Sequence, residues 1–494
     1  MSVDISLNPN KIVQFLGKPA EEFTKNDIIE FIEKNGIKMV DFRYVAGDGK
    51  LKNLNFIINS RQHLDHILTT GERVDGSSLF SYIDATSSDL YVVPRYKTAF
   101  VNPFSKVPAV DILCSFYTSE GKPLESAPDY LVKKAHDQLK RKTGMTFEAL
   151  GELEYYLISE QDEIFPVLEQ KGYHESHPFS KWGFIRREAM KIITEMGGKI
   201  KYGHAEVGNI IHDQFQMVQQ EIEFLPVPVE DAADQLVLAK WAVREIAYKY
   251  GLEVSFAPKI IVGQAGSGLH IHTRLIKNGK NMMVENGTLS DTAKKVIAGF
   301  LKLAPSLTAF GNTVPTSYLR LVPHQEAPTS ICWGDRNRSV LVRVPLGWLG
   351  VENMIYQVNP NEPKSDHNFM NNQTVEIRNP DGSANVHQLA AGLTIAALYG
   401  LESEDSLQLA KELYVSEDAS KIKELQQLPA SCFESADELV KARDIYEKYD
   451  VFPAGMIDQL VAELKAHDDR NLSEKLYGNA GALKTLVDKF IHCG

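Results

Sequence analysis

Four stretches of the 494-residue chain place two charged or imidazole side chains one residue apart inside otherwise apolar, strand-like sequence. They are FEALGELEYYLI with Glu152 and Glu154, VQQEIEFL with Glu221 and Glu223, GSGLHIHTRL with His270 and His272, and TVEIRNPDG with Glu376 and Arg378. On a strand, residues i and i+2 share a face, so each pair points the same way. A single such pair is ordinarily a solvated outer face, because Glu is rarely buried without a partner. Four in one chain are better explained by one cationic object between them. Carboxylates with an imidazole suit a hard or borderline ion such as Mg²⁺ or Mn²⁺, whereas zinc asks for more His or Cys. A site of that kind usually serves phosphate chemistry.

The length calls for more than one domain, since single cores stop growing near 250 to 300 residues. Residues 25–34 are expected to form a short amphipathic helix capped by Asp27, with Ile28, Ile29, Phe31 and Ile32 on its apolar face. Two alternating runs around Gly47-Asp48-Gly49 predict a β-hairpin. The polar, Pro-bearing segment 120–130 precedes a helix expected from Asp129 to about Lys142, and the domain boundary is placed there. Beyond it, helices are expected over 184–197 and 229–251 among short strands, so the class is α+β. From about 400 the chain turns to helical stretches rich in Glu, Lys and Leu.

With 53 Lys and Arg against 65 Asp and Glu, the net charge is −12, which argues against nucleic acid or an anionic membrane as the main partner. Cys114, Cys332, Cys432 and Cys493 are too scattered for a disulfide framework. The N-terminus lacks a signal-peptide pattern, so a cytoplasmic location is expected. Against that acidic background, Arg320, Arg336, Arg338 and Arg343 cluster in LRLVPHQEAP and GDRNRSVLVRVP. Guanidinium groups grip phosphate and carboxylate oxygens bidentately, which Lys cannot do. No Walker-type loop or kinase motif is present, so a nucleotide here would be held by metals and arginines.

In this order the motifs resemble the glutamine synthetase family from about residue 30 to 400. They include V-D-G-S-S at 74–78, E-L-E at 152–154, A-E-V at 205–207, Q-Q-E-I-E-F at 219–224 and G-S-G-L-H-I-H at 266–272. S-Y-L-R-L-V-P-H-Q-E-A-P at 317–328, R-N-R-S at 336–339 and V-E-I-R-N-P-D at 375–381 complete the series. The resemblance implies a β-grasp domain, set at 1–122, and a catalytic α/β funnel domain, set at 123–494 with a divergent helical tail. It implies two or more Mg²⁺ or Mn²⁺ ions. One would lie on Glu154, Glu206 and Glu221, and the other on Glu152, His270 and Glu376. It also implies ATP as co-substrate, beside His272, Arg338 and Arg343, and L-glutamate on Gly266, Arg320 and Arg378. An ammonium pocket of Asp75, Ser78, Tyr173 and Glu206 follows, with Asp75 as the base reaching in from a neighbouring subunit. Glu326 matches the flap carboxylate that closes over glutamate. Five carboxylates nearly neutralise two divalent ions, leaving the phosphate charge to the arginines.

The implied reaction is ATP-dependent joining of ammonia to glutamate in a homododecamer of stacked hexameric rings, with polyamine or another amine as the alternative. A non-catalytic relative of the kind found among lens proteins would have lost ligands or arginines that this chain keeps, and a metal-dependent amidohydrolase has no reason to gather four arginines. The chain departs from the common pattern in several places. About seven extra residues lie between Glu206 and Glu221, Ala265 replaces an Asn, Arg274 a Ser and Lys201 an acid. Tyr414, near the adenylylation position of some members, is taken as an ordinary helix residue.

Overall fold

In the computed structural model, which describes residues 5–322, 327–349, 351, 354–363, 369–476 and 478–494, the helix Lys25–Lys34 buries the four expected apolar residues. Its cap is Thr24 rather than Asp27. Asp27 sits three residues later and accepts the Thr24 backbone N–H at 2.7 Å, closing a capping box whose two halves satisfy donors the helix leaves open. The expected hairpin is formed by β1 (Met39–Val45) and β2 (Leu51–Ile57). Gly49 takes φ 74° in the connecting turn, where a side chain would be strained. With β3 (Glu72–Asp75), β4 (Asp89–Pro94), β5 (Phe100–Val101) and β6 (Ala109–Tyr117) they make a six-stranded sheet in the order β2-β1-β6-β4-β3, with β5 against β6. Only β1 and β6 run parallel in it.

The second sheet is built on β7 (Thr146–Glu160). β8 (Ile200–His212) and β9 (Phe215–Phe224) form a hairpin on one side of it, with the two-residue β10 (Val227–Pro228) and short β11 (Glu253–Ser255) also pairing to β7. β12 (Leu269–Lys277) lies on the other side and is extended by β13 (Lys280–Asn281); β14 (Val284–Glu285) and β15 (Thr288–Leu289) pair separately. β16 (Trp333–Asp335), β17 (Val342–Val344) and β18 (Val375–Ile377) complete the order β16-β17-β18-β12-β7-β9-β8. Along β7 the faces alternate: Leu153, Tyr155 and Leu157 enter the main apolar core, while Glu152 and Glu154 face the other way. Helices Pro128–Thr143, Val229–Lys249, Asp291–Gly311 and Val386–Glu402 pack on one another and supply that core. The sheet therefore has one dry face and one polar face.

The residues between Glu206 and Glu221 form the outer part and the turn of the β8–β9 hairpin. The ladder shifts register between Ala205 and Asn209, and Gly208 is required there because a Cβ would meet the Tyr156 hydroxyl at 2.0 Å. Glu221 stands opposite Glu154. The helical tail is present, including Cys432–Glu447 and Ala454–Lys465. Tyr414 is not a helix residue. It follows the helix Ser406–Glu412 and forms a lone bridge to Trp333, edge-on to that ring at 5.0 Å.

Buried charges join the two sheets. Arg95, just after β4, grips Asp234 with bonds of 2.7 and 3.2 Å, and His387 Nε2 lies 3.0 Å from the same carboxylate. Burial alone would raise the Asp234 pKa, but Arg95 and His387 hold it well below the usual range. Asp234→Ala would leave a partly exposed guanidinium and the buried His387 ring without their acceptor, and urea unfolding is expected to show a loss of about 1–3 kcal/mol.

Candidate active site

Antiparallel register sets the polar face of the second sheet into rows. Tyr202, Glu223, Glu152 and His270 stand opposite one another across β8, β9, β7 and β12. His204, Glu221 and Glu154 form the next row, and His272, Glu376 and Arg343 a third across β12, β18 and β17. Glu152 is the hub: its oxygens lie 2.8 Å from His270 Nδ1 and 2.9 Å from His272 Nε2. Glu376 Oε1 is 3.7 Å from His270 Nδ1. One donor atom from each of Glu152, His270 and Glu376 lies within 4.8 Å of the others, so this implied triad is brought together. Glu152, Glu223 and His272 satisfy the same spacing.

Glu154, Glu206 and Glu221 line the same cavity without gathering that closely among the described residues. Glu154 and Glu206 are held by donors, and Glu221 lies beside an imidazole. Glu154 accepts from Gly268 N–H at 2.8 Å and Gln219 Nε2 at 3.0 Å, Glu206 from the Val207 N–H at 3.0 Å, and Glu221 lies 3.1 Å from His204 Nε2. Glu223 is bound by Lys201 Nζ at 2.5 Å, which explains the cation found where an acid is common.

The electrostatics divide this belt. For Glu152, burial favours the neutral form but is outweighed by His272 and His270, which hold its carboxyl well below the usual range. Glu221 goes the other way: burial, then the charges of Glu152, Glu154, Glu206 and Glu223, push its pKa well above 4.5. Such an excess of negative charge with imidazole at its centre fits a hard or borderline divalent cation.

The cavity has a volume of about 1170 Å³, and Arg320, Arg338, Arg343 and Arg378 also line it. Arg343 Nη1 and Arg378 Nε reach the two oxygens of Glu376 at 3.0 Å each. Buried Arg320 is braced by the carbonyls of Asn379 and Pro380 at 2.8 and 3.3 Å, beside Gly266, where a Cβ would stand 2.4 Å from the Pro258 carbonyl. Arg338 is exposed and makes no ion pair among the described residues. Tyr173 is also on the wall, 50% exposed and stacked on His174 at 4.2 Å.

Asp75 and Ser78 do not line this cavity. Asp75, at the end of β3, is exposed and accepts the Ser78 hydroxyl at 2.7 Å and the Ser77 hydroxyl at 2.8 Å; these hydroxyls, Ser78 first, hold its pKa well below the usual range. Ser78 lines a separate cavity against the helical tail. Glu326 lies outside the described residues. His204 and Gln219 are site residues that the sequence reading did not single out, and Glu223 and Lys201 were noted there without a place in the ligand sets. The signal for Glu223 was present, since it shares its strand face with Glu221.

The family model of the glutamine synthetase catalytic domain matches residues 125–477, and that of the glutamine synthetase β-grasp domain matches residues 36–119. Glutamine synthetase of Clostridium saccharobutylicum is 31% identical over 77% of this chain and 81% of its own length; that of Aquifex aeolicus is 27% identical over 91% and 96%. Among solved structures, Plasmodium falciparum glutamine synthetase covers 94% of this chain and 98% of its own, at TM-score 0.75 and 20% identity. A GmaS/ADP complex covers 90% and 96%, at TM-score 0.72 and 18% identity. The chain belongs to the glutamine synthetase family, and with it to the ligases. Among the described residues no helix is long and apolar enough to cross a membrane.

A raised carboxyl pKa contributes stability below its ordinary value of 4.5 that is lost as pH rises through the raised one. Glu221→Gln cannot ionise. In chelator at neutral pH it is expected to melt about 2 °C above the parent, a gap that closes toward acid pH, while losing much of the stabilisation by Mg²⁺ or Mn²⁺ seen in thermal melts.

Proposed function

We propose that this chain is a glutamate–ammonia ligase that forms glutamine with ATP. The observation that carries the reading is the meeting of two charge sets in the lining of one cavity: the carboxylate–imidazole belt on β7, β9, β12 and β18, and the four arginines beside it. Mg²⁺ or Mn²⁺ on Glu152, His270 and Glu376, and on Glu154, Glu206 and Glu221, would supply positive charge to the phosphates. The residues of the chain do the rest.

Arg338, unpaired among the described residues, and Arg343 would receive ATP phosphates, with His272 beside the nucleotide. Arg320, braced by carbonyls, and Arg378, fixed on Glu376, would hold glutamate carboxylates at Gly266. The γ-carboxylate oxygen of glutamate attacks the γ-phosphorus and ADP leaves; the nitrogen of ammonia then attacks the acyl carbon and phosphate leaves. Ammonium must first give up a proton. Asp75 would take it, although its serine hydroxyls lower its basicity within this chain, and its position outside this chain's own cavity supports delivery to a neighbour's site in stacked hexameric rings. Ser78, Tyr173 and Glu206 would complete that pocket, and Glu326 would close over glutamate. The exposure of Tyr173, and the methyl of Ala265 in place of an amide, favour a larger amine as the second reading.

The deciding experiment is phosphate release from ATP with Mg²⁺ and glutamate, comparing ammonium, methylamine, a polyamine and no amine, with the product weighed by mass spectrometry. Ammonium-dependent release with glutamine formed is the expected result; release only with a larger amine moves the function to that amine, and no release with any of them sinks both. Arg338→Ala is expected to lower turnover by about a hundredfold or more.

A further inference from the structure

A second cavity, of about 260 Å³, lies behind the β8 wall of the first and shares His204 with it. Arg186, Arg187, His174, His177 and Ser180 also line it, against one acid, Glu175, among the described residues. The arginines stand near the start of the helix Gly183–Glu195, which has no acid in its first turn and, before it, Trp182 at φ 60° with no side-chain cap. Cations at a helix N-terminus oppose the helix dipole, so local rules alone would not put them there. Neither arginine forms an ion pair among the described residues. Arg186 instead donates to Gln220 through Nη1, and its Nε is buried without a partner. Ser180 is only 6% exposed, and its hydroxyl likewise finds no partner. Unpaired buried donors and two guanidinium groups around one hollow in an acidic protein ask for the same thing, an oxyanion.

We propose that this hollow is a binding site for a small organic or inorganic oxyanion, carboxylate or phosphate, distinct from the carboxylate-lined cavity. Its volume lies below the roughly 300–1,000 Å³ of pockets for drug-sized ligands, which limits the occupant to a few heavy atoms. Two residues connect it to the belt. Gln220, held by Arg186, precedes Glu221 on β9, and His204 contacts Glu221 from the shared wall. An anion that draws Arg186 toward itself therefore acts on the strand that carries Glu221 and Glu223.

Phenylglyoxal labelling of the full-length protein in chelator, read by mass spectrometry, tests the site, because Arg187 is exposed to the reagent. Inorganic phosphate and succinate serve as probes. The expected result is slower labelling of Arg187 with either or both, unchanged in Arg338→Gln, and, by isothermal titration calorimetry with the same two anions, an affinity about tenfold weaker in Arg187→Gln, the loss of one charged hydrogen-bonding group. Protection by succinate alone assigns a carboxylate ligand, and by phosphate alone a phosphorylated one. Labelling indifferent to both anions overturns the proposal. So does protection that vanishes in Arg338→Gln while Arg187→Gln binds as tightly as the parent, which would assign the anion to the first cavity.

Discussion

Mutual repulsion of carboxylates is the constraint around which this molecule is arranged. Glu152, Glu154, Glu221, Glu223 and Glu376 come from three strands onto one sheet face, where each is at least partly withdrawn from water. Left alone, such a set would protonate or splay apart. It is held by a stiff frame: the antiparallel register fixes which acid faces which, and the apolar reverse of β7 is pinned by the core of the catalytic domain. The compensation is local and varied. His270 and His272 serve Glu152, Lys201 serves Glu223, Arg343 and Arg378 serve Glu376, and Glu221 keeps a strong hold on its proton.

Much of this was legible in the chain, because strand alternation is a rule of period two and the acids obey it. The pairs Glu152/Glu154 and His270/His272 announce a shared face without any structure, and the structure puts them on it. The early hairpin and the helices over residues 184–197 and 229–251 were equally open to periodicity. What stayed hidden depends on partners distant in sequence. That Lys201 neutralises Glu223, or that Glu221 bears the charge of four other acids, follows from strand order rather than from local pattern. The placing of Asp27 as a cap failed for a smaller reason: in a capping box the acid and the true cap are three residues apart, and both are plausible caps by type.

The N-terminal sheet has its own tie to this frame. The Arg95–Asp234–His387 cluster draws charge from β4, from the helix Val229–Lys249 and from the helix Val386–Glu402 into one buried knot. Asp75, a loop away on the same sheet, is thereby set at a fixed remove from the carboxylates of its own chain. In the proposed reaction, a base on Asp75 and cations on those carboxylates would meet through assembly of copies, which is the physical sense of a site divided between them.

The β8–β9 hairpin offers a different lesson. Its tip, between His212 and Phe215, lies at the far end of two arms, and the irregular step between Ala205 and Asn209 separates that tip from the paired row of His204 and Glu221. The ladder therefore works as a coupling with slip on one side and none on the other. Length added or removed at the tip would alter what that edge of the molecule meets without shifting the row of acids below the step.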